Sequence, residues 1–177
     1  MPRLPPEDLP TFLQRQDVST LVAVLLELAQ DQEAVKARLT RLQLADWPDK
    51  LLAEFRKTLN GWRRSKRFVA GGEAREFGRA LEAWLEQIAR ELMPKAPPAA
   101  LELFQAFIEA DAVFFERADD SDGAVGDAVR SACRYWLEAA SRCETPPNEL
   151  SDRVTGLFTA DAYGAREELL RRARPVV

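Results

Sequence analysis

The chain has 177 residues, of which 46% are apolar and 31% are charged, and this balance excludes a disordered polar chain and predicts a folded domain. A formal net charge of −4 excludes the overall basic character on which non-specific nucleic-acid binding depends. The absence of histidine excludes every Ser-His and Cys-His catalytic arrangement within the chain.

Neither a signal peptide nor a membrane span is expected. The first ten residues contain no apolar core of a secretory signal. The longest apolar run, residues 21–26, is far shorter than the roughly 20 residues that span a bilayer. Cys133 and Cys143 fall on one predicted helix, where ten residues separate them by roughly 15 Å, too far for a disulfide. We therefore expect a soluble protein of the reducing cytoplasm, with no membrane contact.

Proline placement and a 3.6-residue apolar period divide the chain into eight or nine helices, and no segment alternates like a strand. The first helix is predicted from about Pro6 to Gln14, and Asp17 and Asp31 are predicted to cap the second and third. The fourth helix follows Trp47 and Pro48. Its apolar stripe consists of Leu51, Leu52, Phe55, Leu59 and Trp62.

The second half of the chain follows a linker at 65–72, in which two adjacent glycines permit a sharp change of direction. The fifth helix is predicted at 73–93. The sixth helix is predicted to start at the prolines near 97 and to continue to Phe115. Its apolar surface is wider than one stripe, so we expect this helix to be central. The remaining helices are predicted at 124–143, after Pro147 and at 165–173.

Short turns between neighbouring helices favour antiparallel packing. We therefore predict an all-α fold of helical hairpins, arranged as a bundle or a short α-solenoid-like array. The chain is expected to form a single domain over 1–177, with a hinge at 65–72 between an N-terminal part (1–64) and a C-terminal part (73–177).

An acidic loop at 119–123 lies between the sixth and seventh predicted helices. Its hard oxygen ligands suggest a Ca²⁺ or Mg²⁺ site, and with it a metal-dependent enzyme, although the spacing does not fit an EF-hand. The candidate ligands are Glu116, Asp119, Asp120 and Asp122. The alternative is structural: Ser121 or Asp122 caps the next helix, and Gly123 adopts the backbone conformation of the turn without strain.

A basic segment at 56–67 offers cations and stacking surfaces of the kind that bind phosphates and unpaired bases. Its cations are Arg56, Lys57, Arg63, Arg64, Lys66 and Arg67, beside Trp62 and Phe68. The alternative is a solvated helix end, or an intramolecular partner for acids such as those of the acidic loop.

Two carboxylate pairs, Glu109 with Asp111 and Glu116 with Asp119, are the remaining candidates for acid–base chemistry, although such spacings are typical of a helix surface. The large aromatic residues at helical spacing are interpreted as core. They are Trp84, Phe104, Phe107, Phe114, Phe115 and Trp136. Phe114 with Phe115 also suggests a partner-binding patch or dimer interface.

Three segments, LVAVLLELAQDQEAV, RFVAGGEAREFGRALEAWLEQI and ALELFQAFIEADAVFFERADDSDGAVGDAVRSA, resemble a family of uncharacterised bacterial α-helical domains. Some members follow SWIM-type zinc fingers in longer chains. The resemblance implies an all-helical fold of hairpins with no assigned activity, so it supplies no catalytic residues. This chain carries no zinc finger of its own.

The preferred functional hypothesis is a non-enzymatic scaffold or adaptor that binds another protein, or a second copy of itself, without a cofactor. Wide apolar faces, abundant surface charge and the lack of a catalytic signature favour it. Nucleic-acid binding through 56–67 and a metal-dependent enzyme built on 116–122 are the alternatives.

Overall fold

The computed structural model describes residues 8–173. These residues form ten α-helices and one isolated parallel β-bridge, joined by turns and loops. The predicted all-α fold is confirmed. The helices are α1 (Leu9–Gln14), α2 (Val18–Asp31), α3 (Glu33–Gln43), α4 (Pro48–Arg64), α5 (Gly72–Glu91), α6 (Pro97–Ile108), α7 (Asp111–Arg117), α8 (Ala124–Arg142), α9 (Pro147–Thr159) and α10 (Glu168–Ala173).

The chain divides into two compact units, and the division falls between Leu44 and Ala45. Unit 1 contains α1–α3 and unit 2 contains α4–α10. The linker at 65–72 therefore lies inside unit 2. There Val69 forms two backbone hydrogen bonds. The amide of Val69 donates to the carbonyl of Arg117 at 2.8 Å, and the carbonyl of Val69 accepts from the amide of Asp119 at 3.0 Å. Whether this linker acts as a hinge stays a prediction.

Unit 1 is a hairpin of α2 packed on α3, preceded by the short α1. The predicted cap at Asp17 is confirmed, because its carboxylate accepts from the amide of Thr20 at 2.9 Å. The predicted cap at Asp31 is wrong. Asp31 is the last residue of α2, and Gln32 takes the extended conformation between the helices without a side-chain capping bond.

Unit 2 is organised around α8, which packs against α5, α6, α7 and α10. Small residues on several sides of α8 let its neighbours approach closely, so it is central although its apolar stripe is narrower than that of α6. Its buried residues are Val125, Gly126, Ala128, Val129, Ser131, Ala132, Cys133, Trp136, Ala139 and Ala140. Cys133 and Cys143 are both free thiols, as their positions on one helix predicted.

The core of unit 2 contains a chain of aromatic contacts. Trp84 stacks on Phe107 with ring centroids 5.6 Å apart, and Phe107 contacts Phe114 at 5.0 Å. Trp84 also meets Phe55 and Trp62 edge-on at 6.0 and 5.6 Å. The core interpretation of the aromatic residues is confirmed for all but one of them, because Phe115 is only half-buried.

The predicted sixth helix is broken into α6 and α7 at Glu109 and Ala110. Neither glycine nor proline marks this break. Instead, the carbonyl of Ile108 accepts a hydrogen bond from the guanidinium of Arg166 at 2.9 Å, and Asp111 at the start of α7 binds the same guanidinium. The chain turns here because a residue 55 positions away binds the groups exposed at the break.

Several predicted helix ends differ from the observed ones. The first helix begins at Leu9; the predicted start at Pro6 lies outside the described residues. The last begins at Glu168 and not at 165, because a tight turn precedes it. The proline-led starts of α4, α6 and α9 are confirmed, each with proline at the first helical position.

Candidate functional site

The acidic loop at 119–123 forms the entry to α8. Asp120 accepts hydrogen bonds from the amides of Val125 at 2.7 Å and Gly126 at 3.0 Å, one on each carboxylate oxygen. Asp122 accepts from the amide of Ala124 at 3.2 Å. Asp120 thus satisfies two of the amides that a helix N-terminus leaves unpaired.

The predicted capping by Ser121 or Asp122 is corrected in part. Ser121 does not cap α8, because its hydroxyl and amide both donate to Asp119. Asp122 binds the first amide of α8, while the two-oxygen contact belongs to Asp120. The predicted role of Gly123 is confirmed: it precedes α8 with φ +76°, where a side chain would be strained.

A similar arrangement, with the bound amides one residue closer to the carboxylate, occurs in the turn before α10, and a short sequence pattern marks both places. Asp161 accepts from the amides of Ala165 at 3.2 Å and Arg166 at 2.9 Å, around Gly164 with φ +71°. Both loops read Asp-x-x-Gly-Ala. This repeated pattern is the signal that identifies the carboxylate three residues before the glycine as the one that holds the turn.

Replacing Asp120 with alanine is expected to lower the free energy of unfolding by about 0.5–2 kcal/mol, because two α8 amides lose their acceptor. Chemical denaturation followed by circular dichroism measures the change. Ser121→Ala is the matched control in the same loop and should cost less than about 0.5 kcal/mol. Equal losses in the two variants would show that Asp120 is not the capping residue.

The four candidate metal ligands have other partners or point to solvent. Besides the contacts above, Asp122 accepts from Nε of Arg75 at 2.8 Å, and this hydrogen bond lowers the pKa of the Asp122 carboxyl below its usual value. Glu116 is exposed. Within residues 8–173, no group of three or more His, Cys, Asp or Glu side chains is arranged to hold a metal ion. The metal-site hypothesis stays a prediction.

The basic segment is partly neutralised by glutamates. Arg56 pairs with Glu102 at 2.6 Å, and Arg67 pairs with Glu73 at 2.8 Å. Lys57 lies 3.9 Å from Glu54. The acidic loop, which was one possible partner, supplies none of these three acids.

Three cations of the basic segment, Arg63, Arg64 and Lys66, are exposed and form no ion pair with another described residue. The C-terminal end of the segment lies close in space to the start of the acidic loop, because Val69 bonds the backbone of Arg117 and Asp119. Arg117, two residues before that loop, donates to the carbonyls of Trp62 and Arg67. Nucleic-acid binding by the segment stays a prediction.

A buried ion pair joins three helices of unit 2. Arg166 and Asp111 are 3% and 1% exposed, and two guanidinium nitrogens reach the two carboxylate oxygens at 2.7 and 2.8 Å. Arg166 also donates to the carbonyls of Leu157 at 2.7 Å and Ile108 at 2.9 Å. The pair and its hydrogen bonds connect the ends of α6 and α9 to the start of α7.

An open cleft of about 360 Å³ lies above this ion pair. It contains Glu109 and Asp111, the carboxylate pair suggested for acid–base chemistry. The Asp111 carboxylate is held by Arg166, and that of Glu109 is exposed and accepts from the Gln105 amide at 2.9 Å. Asp111 therefore has a structural partner, and Arg166, which the sequence did not single out, is the residue that defines this place.

Glu82 is a second carboxyl group with an unusual environment. It lies in a shallow cleft of about 310 Å³ between α5 and α8, with Ser131 and Arg134. One of its oxygens is buried without a hydrogen-bond partner among the described residues. Burial raises the pKa of the Glu82 carboxyl above its usual value.

The partner patch predicted at Phe114 and Phe115 is corrected. The ring of Phe114 is fully buried between Phe77 and Phe107, so it cannot contact a partner in this fold. Phe115 is half-buried and stacks on the exposed Tyr163 with centroids 4.6 Å apart.

Exposed apolar side chains are instead concentrated in unit 1. None of the described residues of α1–α3 is buried. Among the described residues, the large apolar side chains that are more than a third exposed number ten in unit 1 and four in the much larger unit 2. The ten are Leu9, Phe12, Leu13, Val18, Val22, Val24, Leu25, Leu26, Leu28 and Leu42. We call those of α2 and α3, from Val18 to Leu42, the hairpin surface.

The apolar side of α2 is wider than one packing neighbour requires. Placed at 100° per residue, its large apolar side chains from Val18 to Leu28 cover an arc of about 200°, whereas one core-facing stripe needs about 100°. Leu21 and Ala29, the half-buried positions of α2, lie near the middle of this arc. Val22 and Leu26 lie on one side of this arc and are both exposed.

The described structure defines the class of the protein as all-α, with a small helical hairpin unit and a larger helical unit. None of its described helices is both long enough and apolar enough to cross a membrane. Residues 13–177 match a family of unknown function (DUF6880), and the chain belongs to this family. No curated protein and no solved structure matches the chain. The predicted family of uncharacterised helical domains is thus confirmed, and the association with SWIM-type zinc fingers stays a prediction.

Proposed function

We propose that the protein is a non-enzymatic helical interaction module of the cytoplasm, which binds a protein partner through the hairpin surface. The observation that carries this proposal is the absence of any buried residue in the described part of α1–α3, combined with ten exposed large apolar side chains. Exposed apolar surface of this extent is typical of protein interaction sites. Two free thiols favour a reducing compartment.

The two units then have different tasks. Unit 2 supplies a folded body with buried aromatic side chains in its core, and unit 1 presents the apolar residues that a partner covers. Two carboxylates that suggested catalysis, Asp111 as an acid–base group and Asp120 as a metal ligand, are engaged in hydrogen bonds that hold helix ends. These contacts favour a structural role for both residues over a catalytic one.

The test uses the immobilised full chain and a variant that removes one flank of the hairpin surface. Val22→Glu/Leu26→Lys replaces two exposed side chains while forming a favourable i,i+4 pair that keeps the helix and the net charge. Captured proteins in a native lysate are quantified by mass spectrometry. We expect the amount of specifically captured protein to fall at least about tenfold, because two large apolar side chains of the proposed interface are replaced by charged ones.

The matched control is Phe68→Glu/Leu170→Lys, which makes the same change at two exposed apolar positions of unit 2. This control should capture the same proteins as the unmodified chain. If the hairpin variant and the control capture equal amounts, the hairpin surface is not the interaction site.

A further inference from the structure

A glycine leaves room in the cleft above the Asp111–Arg166 ion pair. Gly156 lies inside α9, where every residue except proline favours a helix more than glycine does. Nothing lies within 4 Å of the place that a Cβ at Gly156 would occupy, so no neighbouring group requires a glycine there. Because Gly156 lines the cleft, the missing side chain adds to its open space of about 360 Å³. This volume is within the size range of small-molecule sites.

The lining of this cleft carries two opposite charges besides the buried pair. The carboxylate of Asp111 and the guanidinium of Arg166 bind each other. The other charged residues of the lining are Arg153 of α9 and Glu109 at the end of α6. The lining therefore has no net charge, which disfavours a multiply charged anion such as phosphate and equally a simple cation. A ligand that carries one charge of each sign fits this arrangement.

Arg153 is held in place although most of its hydrogen-bond donors are unused. Its guanidinium lies over the ring of Trp136 at 5.3 Å, and Nη2 donates to Oε1 of Gln105 at 2.5 Å. This bond uses one of five N–H donors, and the others form no hydrogen bond with a described residue. The exposed carboxylate of Glu149 lies 3.8 Å from Nη1, which is beyond hydrogen-bond distance. A guanidinium that is already oriented in this way can bind a carboxylate through two donors.

The distance between Arg153 and Glu109 is limited by the one amide group that joins them. Gln105 accepts from Nη2 of Arg153 at 2.5 Å and donates to Oε1 of Glu109 at 2.9 Å. Nη2 of Arg153 and Oε1 of Glu109 are therefore at most about 8 Å apart. An α-amino acid carries its ammonium and carboxylate groups on one carbon atom. With one hydrogen bond at each group, it spans about 8 Å as well.

We propose that this cleft binds a free α-amino acid, whose carboxylate is bound by Arg153 and whose ammonium group is bound by Glu109. Apart from Gln105 and the buried pair, the other lining residues are small or apolar, so the side chain of the bound amino acid is apolar. These residues are Ala112, Gly156, Leu157 and Ala160. The site lies within unit 2 and does not depend on the hairpin surface.

Isothermal titration calorimetry of the purified full chain with L-alanine, L-valine and L-leucine tests the proposal. We expect saturable binding of at least one of them at concentrations up to about 10 mM. N-acetylation removes the charge of the ammonium group, and amidation removes that of the carboxylate. Each modified form of the bound amino acid is expected to bind at least about tenfold more weakly, because one ionic contact is lost.

Two variants with matched controls locate the binding in this cleft. Glu109→Gln removes a charge but keeps an acceptor for the Gln105 amide, and it should weaken binding at least about tenfold. Glu116→Gln makes the same change at an exposed carboxylate outside the cleft lining and should bind normally. Gly156→Leu fills the cleft and should abolish binding. Gly61→Leu, at another helical glycine with nothing within 4 Å of a Cβ, should have no effect on binding.

Three results would overturn the proposal: no saturable binding of any of the three amino acids, equal binding of the N-acetylated or amidated form, or unchanged binding in Glu109→Gln. Circular dichroism verifies that each variant is folded. Because Glu109 is exposed, its variant decides the question even if Gly156→Leu does not fold. If Gly156→Leu folds and still binds the amino acid, the site is not this cleft.

Discussion

Replacing Arg166 with methionine is expected to lower the free energy of unfolding by about 3–5 kcal/mol. The substitution leaves the Asp111 carboxylate buried without its partner, and it frees the carbonyls of Ile108 and Leu157. Urea denaturation monitored by circular dichroism measures the loss. A variant that does not fold at all would count as a loss at least this large, because typical domains have only about 5–15 kcal/mol.

Two controls separate the buried pair from charge removal in general. Arg130→Met breaks the exposed pair with Asp127 on α8 and should cost less than about 1 kcal/mol. The double variant Asp111→Leu/Arg166→Met removes both buried charges and should recover part of the stability. If Arg166→Met costs less than about 1 kcal/mol, the pair does not hold α6, α7 and α9 together.

Gly78→Ala is the second substitution with a large expected effect on the free energy of unfolding. Whether it stabilises or destabilises the protein depends on how closely α5 and α8 approach each other. Alanine favours a helix interior by about 1 kcal/mol over glycine, so propensity alone predicts stabilisation. In this fold a Cβ at Gly78 would lie 2.5 Å from the Cβ of Ala124 and 2.8 Å from its carbonyl carbon. Because backbone must move, we expect a net loss of about 1–3 kcal/mol, measured by the same denaturation experiment.

Gly61→Ala is the matched control in another helix, because nothing lies within 4 Å of a Cβ at Gly61. It should raise the free energy of unfolding by up to about 1 kcal/mol. If Gly78→Ala also stabilises the protein, α5 and α8 do not approach as closely as described.

Local patterns predicted those parts of the fold that depend on neighbouring residues. Asp17 caps α2, proline opens α4, and Phe55 faces the core, because capping, backbone restriction and helical periodicity act over a few positions. The all-α class followed from the same patterns over longer segments.

Features that depend on distant residues were missed. The break after Ile108 depends on Arg166, which lies in a polar segment that periodicity places on the surface. The central position of α8 depends on buried alanines such as Ala128 and Ala132, whose small side chains give a weak periodic signal. The two-oxygen cap of Asp120 reaches five and six residues ahead, beyond the usual capping distance.

The candidate functional sites were predicted less completely than the helices. The basic segment and the acidic loop were recognised from composition, but composition does not show which acid neutralises which base, and the glutamates that pair with Arg56 and Arg67 lie elsewhere in the chain. The hairpin surface was missed because an exposed apolar helix and a buried one have the same sequence pattern. Only the absence of burial in α1–α3 separates the two.

Hydrogen–deuterium exchange is the most direct test that the hairpin surface meets the partner. The full chain is compared at high dilution and in the partner-bound state, whether the partner is a second copy or a captured protein. We predict that binding slows exchange of the amides of α2 and α3, around Val22 and Leu26, and leaves α4–α9 unchanged. Protection confined to α4–α9, with α2 and α3 unaffected, would contradict the proposed role of the hairpin surface.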